Sequence, residues 1–128
     1  FPAGKQLSQV AERVERARPF QVKLNGLAFS LSGMENKVKE MADCGEDPAH
    51  IASFALETVC HIVLRATLDA QERFPGLPVL CSGGVASNTR LRELLTEHCH
   101  ALFAQPQYAT DNAMGTAILT WRAMEGRA

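Results

Sequence analysis

Apolar residues near the start of the chain recur every three to four positions, the spacing of one face of an amphipathic helix. The stripe consists of Leu7, Val10, Val14 and Ala17, with arginines around it. It predicts a helix over residues 6–17. After Pro19, the alternation of residues 27–31 predicts a short strand, with Val22 as its earliest possible start, and residues 35–41 predict a second helix.

The longest apolar pattern begins after the pair Asp47-Pro48. Asp is a common helix cap, and Pro fits the first helical position, where its missing N–H costs nothing. The apolar face that follows comprises Ile51, Phe54, Ala55, Val59, Ile62 and Ala66, with Thr58 and Asp69 on the same face. We therefore expect a largely buried helix that ends near Phe74 and forms the spine of the fold.

The second half of the chain alternates strands and helices. Residues 77–81 predict a strand that stops at the glycine pair Gly83-Gly84, and residues 88–95 predict a helix. A short strand at residues 101–104 is followed by a helix at residues 112–125, with its small and apolar side chains turned inward: Ala113, Ala117, Ile118 and Trp121. Alternation of this kind predicts an α/β fold with helices packed against a small sheet.

Composition fits one globular domain of 128 residues, 46% of them hydrophobic. The 13 basic and 14 acidic residues nearly balance, so the chain lacks the strongly basic character of a dedicated nucleic-acid-binding domain. No signal sequence is visible, and we expect no apolar run to approach the roughly 20 residues of a membrane span. We expect a cytoplasmic protein without membrane contact.

The four cysteines are Cys44, Cys60, Cys81 and Cys99, and none of them form a CxxC pair. This spacing favours buried thiols over disulfides or zinc ligands. The cluster His98-Cys99-His100 is a poor metal site, because consecutive helical side chains face different directions. We expect Cys44, Cys60 and Trp121 to lie in the core.

Three positions are candidates for chemistry, and each has an ordinary structural alternative. The glycine pair Gly83-Gly84 permits close approach of a phosphate to the backbone, but it also suits a simple turn. Asn88 and Asp111 each lie at a predicted helix start, where either side chain can act as a cap or contact a ligand.

Two motifs of the second half resemble those of the tRNA adenosine threonylcarbamoyltransferase family, whose older name is O-sialoglycoprotein endopeptidase or glycoprotease. The first motif runs from Cys81 to Arg92, Cys-Ser-Gly-Gly-Val-Ala-Ser-Asn-Thr-Arg-Leu-Arg, and the second is Thr110-Asp111-Asn112-Ala113-Met114. Near the start of the chain, Phe1-Pro2-Ala3-Gly4 is similar to the family's aromatic-Pro-Gly-Gly turn, and Phe29-Ser30-Leu31-Ser32-Gly33 to its Phe-Ser-Phe-Ser-Gly strand.

The resemblance implies a fold and a place within it. Residues 1–128 are expected to form a single C-terminal lobe of a two-lobed protein with an actin-like ATPase, or ribonuclease H-like, fold. Nucleotide would bind in the cleft between that lobe and a missing N-terminal lobe.

The resemblance also implies site residues. Gly4, Gly83, Gly84 and Asn88 match positions that contact the nucleotide-bearing substrate, although Ala3 and Lys5 depart from the family's turn. Asp111 matches a ligand of one divalent metal, iron or zinc, whose two histidine ligands belong to a His-x-x-x-His helix. Such a pair is absent from this sequence, and the resemblance assigns no residue of this chain to a catalytic role.

The implied activity is transfer of threonylcarbamoyl from its adenylate to an adenosine of tRNA, which makes the ligand an adenine nucleotide or threonylcarbamoyl-AMP. The implied partners are a homologous protein, an ATPase, a synthase and, through the full assembly only, tRNA. We expect the chain to be inactive alone. Two alternatives remain open: a divergent paralogue that binds proteins or dimerises, and a lobe of another actin-like phosphotransferase. The Met34-Glu35-Asn36 sequence, where the family has Leu-Lys-Thr, fits the first alternative, while no His-Glu-x-x-His motif supports the endopeptidase name.

Overall fold

The computed structural model describes residues 2–104, 118, 120–122 and 124–126. Their elements, in chain order, are helix α1 (Pro2–Ala11), strands β1 (Leu24–Asn25) and β2 (Ala28–Phe29), helices α2 (Ser32–Asp43) and α3 (Pro48–Arg73), strand β3 (Leu80–Cys81), a 3₁₀ turn (Val85–Ser87), helix α4 (Thr89–Cys99) and strand β4 (Leu102–Phe103). Residues 118, 120–122 and 124 are also helical. The predicted mixture of helices and short strands is confirmed, but the strands form two separate pairs, β1–β2 and β3–β4, instead of one small sheet. The structure does not by itself identify an actin-like lobe.

Helix α3 is the spine, as predicted, because α1, α2 and α4 all pack against it. The Asp47 carboxylate accepts a hydrogen bond of 2.9 Å from the backbone N–H of Ala49, and Pro48 occupies the first turn. Only Thr58 and Ile62 of the predicted face are buried, and its other members are half-buried. Ser53 and Glu57, outside that face, are buried as well. Contrary to the expectation above, α3 is long and apolar enough to cross a membrane by length and composition alone. Its contacts with three helices are those of a core helix.

Helix α1 differs from its prediction at both ends. It begins at Pro2 and stops at Ala11, whereas the apolar stripe continues to Ala17. Side chains of α3 bind the segment that follows: the backbone N–H groups of Ala17 and Phe20 donate to the hydroxyls of Ser53 and Thr58, both at 2.9 Å. These bonds hold the connecting segment along α3 in a non-helical path.

The predicted strand at residues 27–31 is instead half of a small antiparallel hairpin, with Leu24 opposite Phe29. Its two-residue turn begins with Gly26 at φ +62°, a conformation that suits glycine at the first position of a hairpin turn. The predicted helix at residues 35–41 is confirmed and extends to Ser32–Asp43.

Strands β3 and β4 pair in parallel, with Leu80 opposite Leu102, and α4 connects them. One side of this unit contributes to the main core, which consists of Cys60, Leu64, Leu91, Leu94, Leu95, Cys99 and Ala101. The other side is open: Leu80 and Leu102 are 74% and 61% exposed.

All four cysteines are free, as predicted, and Cys60 and Cys99 are buried. The expectation of a buried Cys44 is wrong, because this residue lies exposed after the end of α2. Ile118 and Trp121 are also exposed rather than turned inward, at 44% and 54%. Their predicted inward neighbours Ala113 and Ala117 lie outside the described residues.

Candidate functional site

The glycine pair occupies the corner between β3 and α4. Gly83 has φ +96°, which an L side chain rarely adopts, so the chain itself requires glycine there. Gly84 has the helical angles φ −61° and ψ −37° and starts the 3₁₀ turn, in which the N–H of Ser87 donates to the Gly84 carbonyl at 3.2 Å. The chain then extends at Asn88 and enters α4.

Asn88 caps α4, and this bond fixes the orientation of its amide. The backbone N–H of Leu91 donates to the Asn88 Oδ1 at 3.0 Å. Because a backbone N–H can only donate, the atom facing it must be the amide oxygen, and Nδ2 must lie on the other side. Nδ2 donates one hydrogen to the Ser8 Oγ at 3.1 Å. Its second hydrogen has no partner among the described residues and can serve a ligand.

Ser8 connects two of the predicted site residues. Its Oγ accepts from Asn88 and donates to the Gly4 carbonyl at 3.0 Å. Gly4 lies in the first turn of α1, not in the separate turn that the resemblance implied, since Pro2 fits the helix start. Gly4 and Asn88, from distant parts of the sequence, are thus joined through one serine.

The three glycines of the site leave room around their backbone. A Cβ added at Gly4, Gly83 or Gly84 would meet no atom within 4 Å. Packing within the described chain therefore does not explain glycine at Gly4 or Gly84.

A buried carboxylate on α3 forms an ion pair with the first turn of α4. The Glu57 side chain on α3 is only 8% exposed, and its Oε1 accepts from the Arg90 Nε at 3.2 Å. His61 Nε2 lies 3.5 Å from Oε2, and Arg16 Nε lies 4.0 Å from Oε1. A cation in the first turn of a helix opposes the helix dipole, so Glu57 compensates for an otherwise unfavourable position of Arg90.

The thiol of Cys60 lies behind Asn88. The pKa of Cys60 is raised to about 11, mainly by burial and also by the Glu57 charge, while the Arg90 charge opposes the change. The thiol is therefore protonated at neutral pH, and it donates weakly to the Asn88 Oδ1 at 3.8 Å. It supports the cap.

The structure brings Gly83, Gly84, Asn88 and Gly4 into one region, whereas Asp111 lies outside the described residues. In the part of the chain that is described, no three His, Cys, Asp or Glu side chains form a possible metal site. The described residues alone therefore do not supply three such ligands for a metal ion.

Sequence reasoning missed Ser8, Glu57 and Arg90. A polar residue in an otherwise apolar stretch of α3 was the available signal for Glu57. Ser8 and Arg90 carry no such signal, because their partners are 80 and 33 residues away in the sequence.

Comparison with known proteins places this arrangement in a family. The family model for tRNA N6-adenosine threonylcarbamoyltransferase matches residues 1–118. Two proteins of that name, from two strains of Thermus thermophilus, are 32% identical to 95% of this chain, which spans 39% of their length. A probable bifunctional tRNA threonylcarbamoyladenosine biosynthesis protein from Natronomonas pharaonis is 30% identical to 92% of the chain, which spans 23% of that relative. The chain therefore belongs to the tRNA N6-adenosine threonylcarbamoyltransferase family.

Proposed function

We propose that this chain contributes the nucleotide-binding corner of a protein that transfers threonylcarbamoyl to an adenosine of tRNA, in the cytoplasm and together with further proteins of that modification pathway. Family membership and the names of the relatives support this reaction. The observation that carries the binding role is the oriented amide of Asn88. Its oxygen is committed to α4, and one N–H remains for an acceptor on the ligand.

The surroundings of Asn88 favour an adenine nucleotide or threonylcarbamoyl-AMP. Backbone at Gly84 and Gly4 is accessible, which allows a ribose or phosphate to approach within the distance that a Cβ would otherwise occupy. The described part of this corner contains no activated nucleophile, and Cys60 stays protonated. The role of the Asn88 corner in the reaction is to bind and orient the nucleotide, while the rest of the protein supplies the groups that react.

The metal is a separate proposal. We assign Asp111 as one ligand of a divalent iron or zinc ion, with the other ligands supplied by the N-terminal part of the full-length protein. When bound, such an ion would polarise the carbamoyl group. Nucleotide positioning by Asn88 and the glycines does not depend on it.

The decisive experiment separates binding from folding in the full-length protein. Gly84→Ala should raise the free energy of unfolding by about 0.5–1 kcal/mol, because the angles at Gly84 suit alanine and its Cβ meets open space. The same variant should weaken binding of AMP at least tenfold and reduce threonylcarbamoyl transfer. Asn36→Ala, on the exposed surface of α2, is the matched control, with a similar gain in stability and unchanged binding.

Unchanged nucleotide affinity in Gly84→Ala would refute the binding role. Wild-type protein that binds AMP but transfers nothing in the presence of its partner proteins would instead refute the reaction and favour another actin-like phosphotransferase. For the metal, Asp111→Ala should lose bound iron or zinc together with transfer while its AMP affinity stays within about threefold of wild type.

A further inference from the structure

An open groove of about 750 Å³ lies between the β1–β2 hairpin, the segment before it and α3. It is separate from the Asn88 corner and shares no residue with it. The lining residues that carry the argument are Gln21, Lys23, Asn25, Phe29, Ser30 and Arg65.

The groove is positively charged although the chain is nearly neutral. Lys23 and Arg65 line it, and no carboxylate does. Neither cation has an acidic partner within 4.0 Å among the described residues; Asp69 lies one helical turn from Arg65 without forming an ion pair. On α2, by contrast, Lys37 pairs with Glu40 and Lys39 with Glu35.

A third cation lies beside the groove at the hairpin turn. The two terminal nitrogens of Arg73 come within 3.5 and 3.7 Å of the place where a Cβ on Gly26 would lie. Arg73 also has no acidic partner within 4.0 Å in the described part of the chain. Lys23 and Arg65 in the groove and Arg73 beside it are thus three cations without an acidic partner among the described residues.

The shape and chemistry of the groove favour a polymer over a small molecule. Small-molecule sites are typically enclosed and mostly apolar, whereas this groove is open and carries amide and hydroxyl side chains. Arg65 Nη1 donates to the Val22 carbonyl at 3.1 Å, which holds the guanidinium in place and leaves its other N–H groups for a ligand. Phe29 is 39% exposed, and an exposed aromatic ring in a positively charged groove is a typical site for an unpaired nucleotide.

We propose that this groove binds an unpaired segment of RNA through its phosphates, with a base stacked on Phe29. The identity of that RNA as the substrate tRNA rests on the proposed function. In this proposal Lys23 and Arg73 contact phosphates, and Arg65, held by the Val22 carbonyl, lines the groove.

The test measures tRNA affinity of the full-length protein, assembled with its partner proteins, by fluorescence anisotropy over a series of salt concentrations. Each phosphate contact removed should lower the slope of log affinity against log salt by about one. Lys23→Ala and Arg73→Ala should each weaken binding about threefold to tenfold at low salt, and Phe29→Ala about tenfold with an unchanged slope. Lys39→Ala, which removes an equal charge from the paired surface of α2, should change affinity less than about twofold.

Affinity for AMP and the unfolding temperature, measured on the same variants, show whether the fold and the Asn88 corner are intact. Arg65→Lys serves as a further variant that keeps the charge near the Val22 carbonyl. Equal tRNA affinity and salt slope in wild type, Lys23→Ala and Arg73→Ala would overturn the proposal, as would loss of partner-protein binding with tRNA affinity unchanged. If the variants lose tRNA affinity while wild type transfers no threonylcarbamoyl, the groove stands and the proposed reaction fails.

Discussion

Breaking the Glu57–Arg90 pair should have unequal effects depending on which partner is changed. Arg90→Met removes the charge and keeps most of the packing of the side-chain stem, but it leaves a carboxylate that is only 8% exposed beside weaker partners. Glu57→Gln leaves Arg90, which is 26% exposed and can turn towards solvent. The arginine variant should therefore be the more destabilised of the two.

The contacts around Glu57 determine how far the two variants should differ in their free energy of unfolding. Removing one member of a buried ion pair typically costs about 3–5 kcal/mol. His61 and Arg16 remain near Glu57 at 3.5 and 4.0 Å, so we expect a lower value of about 2–3 kcal/mol for Arg90→Met. Glu57→Gln should cost about 1 kcal/mol, the net value of a typical hydrogen bond. The double variant Glu57→Leu with Arg90→Met should be less destabilised than Arg90→Met alone, since no charge is left buried.

Urea unfolding followed by circular dichroism at one pH measures these differences. Lys39→Met is the control: it removes one partner of an exposed ion pair at 2.8 Å and should cost less than about 0.5 kcal/mol. A cost for Arg90→Met equal to or below that of Glu57→Gln would refute the reasoning, because it would mean that Glu57 does not depend on Arg90 for its charge.

Two further predictions concern the backbone at the end of α4 and the buried thiol. His100 has φ 51°, a left-handed conformation that costs a non-glycine residue about 1 kcal/mol, so His100→Gly should stabilise the protein by about 0.5–1 kcal/mol in the same urea assay; a loss of stability would contradict this. The thiol of Cys60 has a pKa of about 11 in the folded state against an ordinary value of 9.0, so the unfolded chain binds fewer protons between these pH values. The contribution of Cys60 to stability should be fully present below about pH 9. The free energy of unfolding should fall by about 2–3 kcal/mol as pH rises to about 11. Unfolding of Cys60→Ala across this range should lack that component, and an equally steep decline in the variant would exclude Cys60 as its source.

Local signals predicted the elements that depend on local chemistry. Asp47 with Pro48 located the start of α3, and the position of Asn88 located the start of α4, because a helix cap is satisfied by neighbouring residues. The parallel pairing of β3 and β4 also agrees with the alternation of apolar runs and a helix between them.

Long-range hydrogen bonds decided the features that the sequence did not predict. The apolar stripe of the first helix extends to Ala17, yet the backbone N–H of Ala17 donates to Ser53 on α3 and Ala17 is not helical. Likewise, the buried Glu57 on α3 accepts a hydrogen bond from Arg90, which lies on α4 and is distant in the sequence. For the candidate site, the glycines and Asn88 came from motifs, whereas Ser8 became visible only when α1 was placed beside α4.

Helix α3 also fixes the distance between the two candidate binding regions. Glu57 and Cys60 support the Asn88 corner, and Arg65 lies in the basic groove. At about 1.5 Å per residue, positions 57 and 65 are about 12 Å apart along the axis. One residue inserted between Cys60 and Arg65 would add only about 1.5 Å but would rotate Arg65 by about 100° around the axis, out of the groove. Changes in loop length elsewhere cannot alter this spacing. The distance between a nucleotide and an RNA strand bound to the two regions would therefore be set by the geometry of α3.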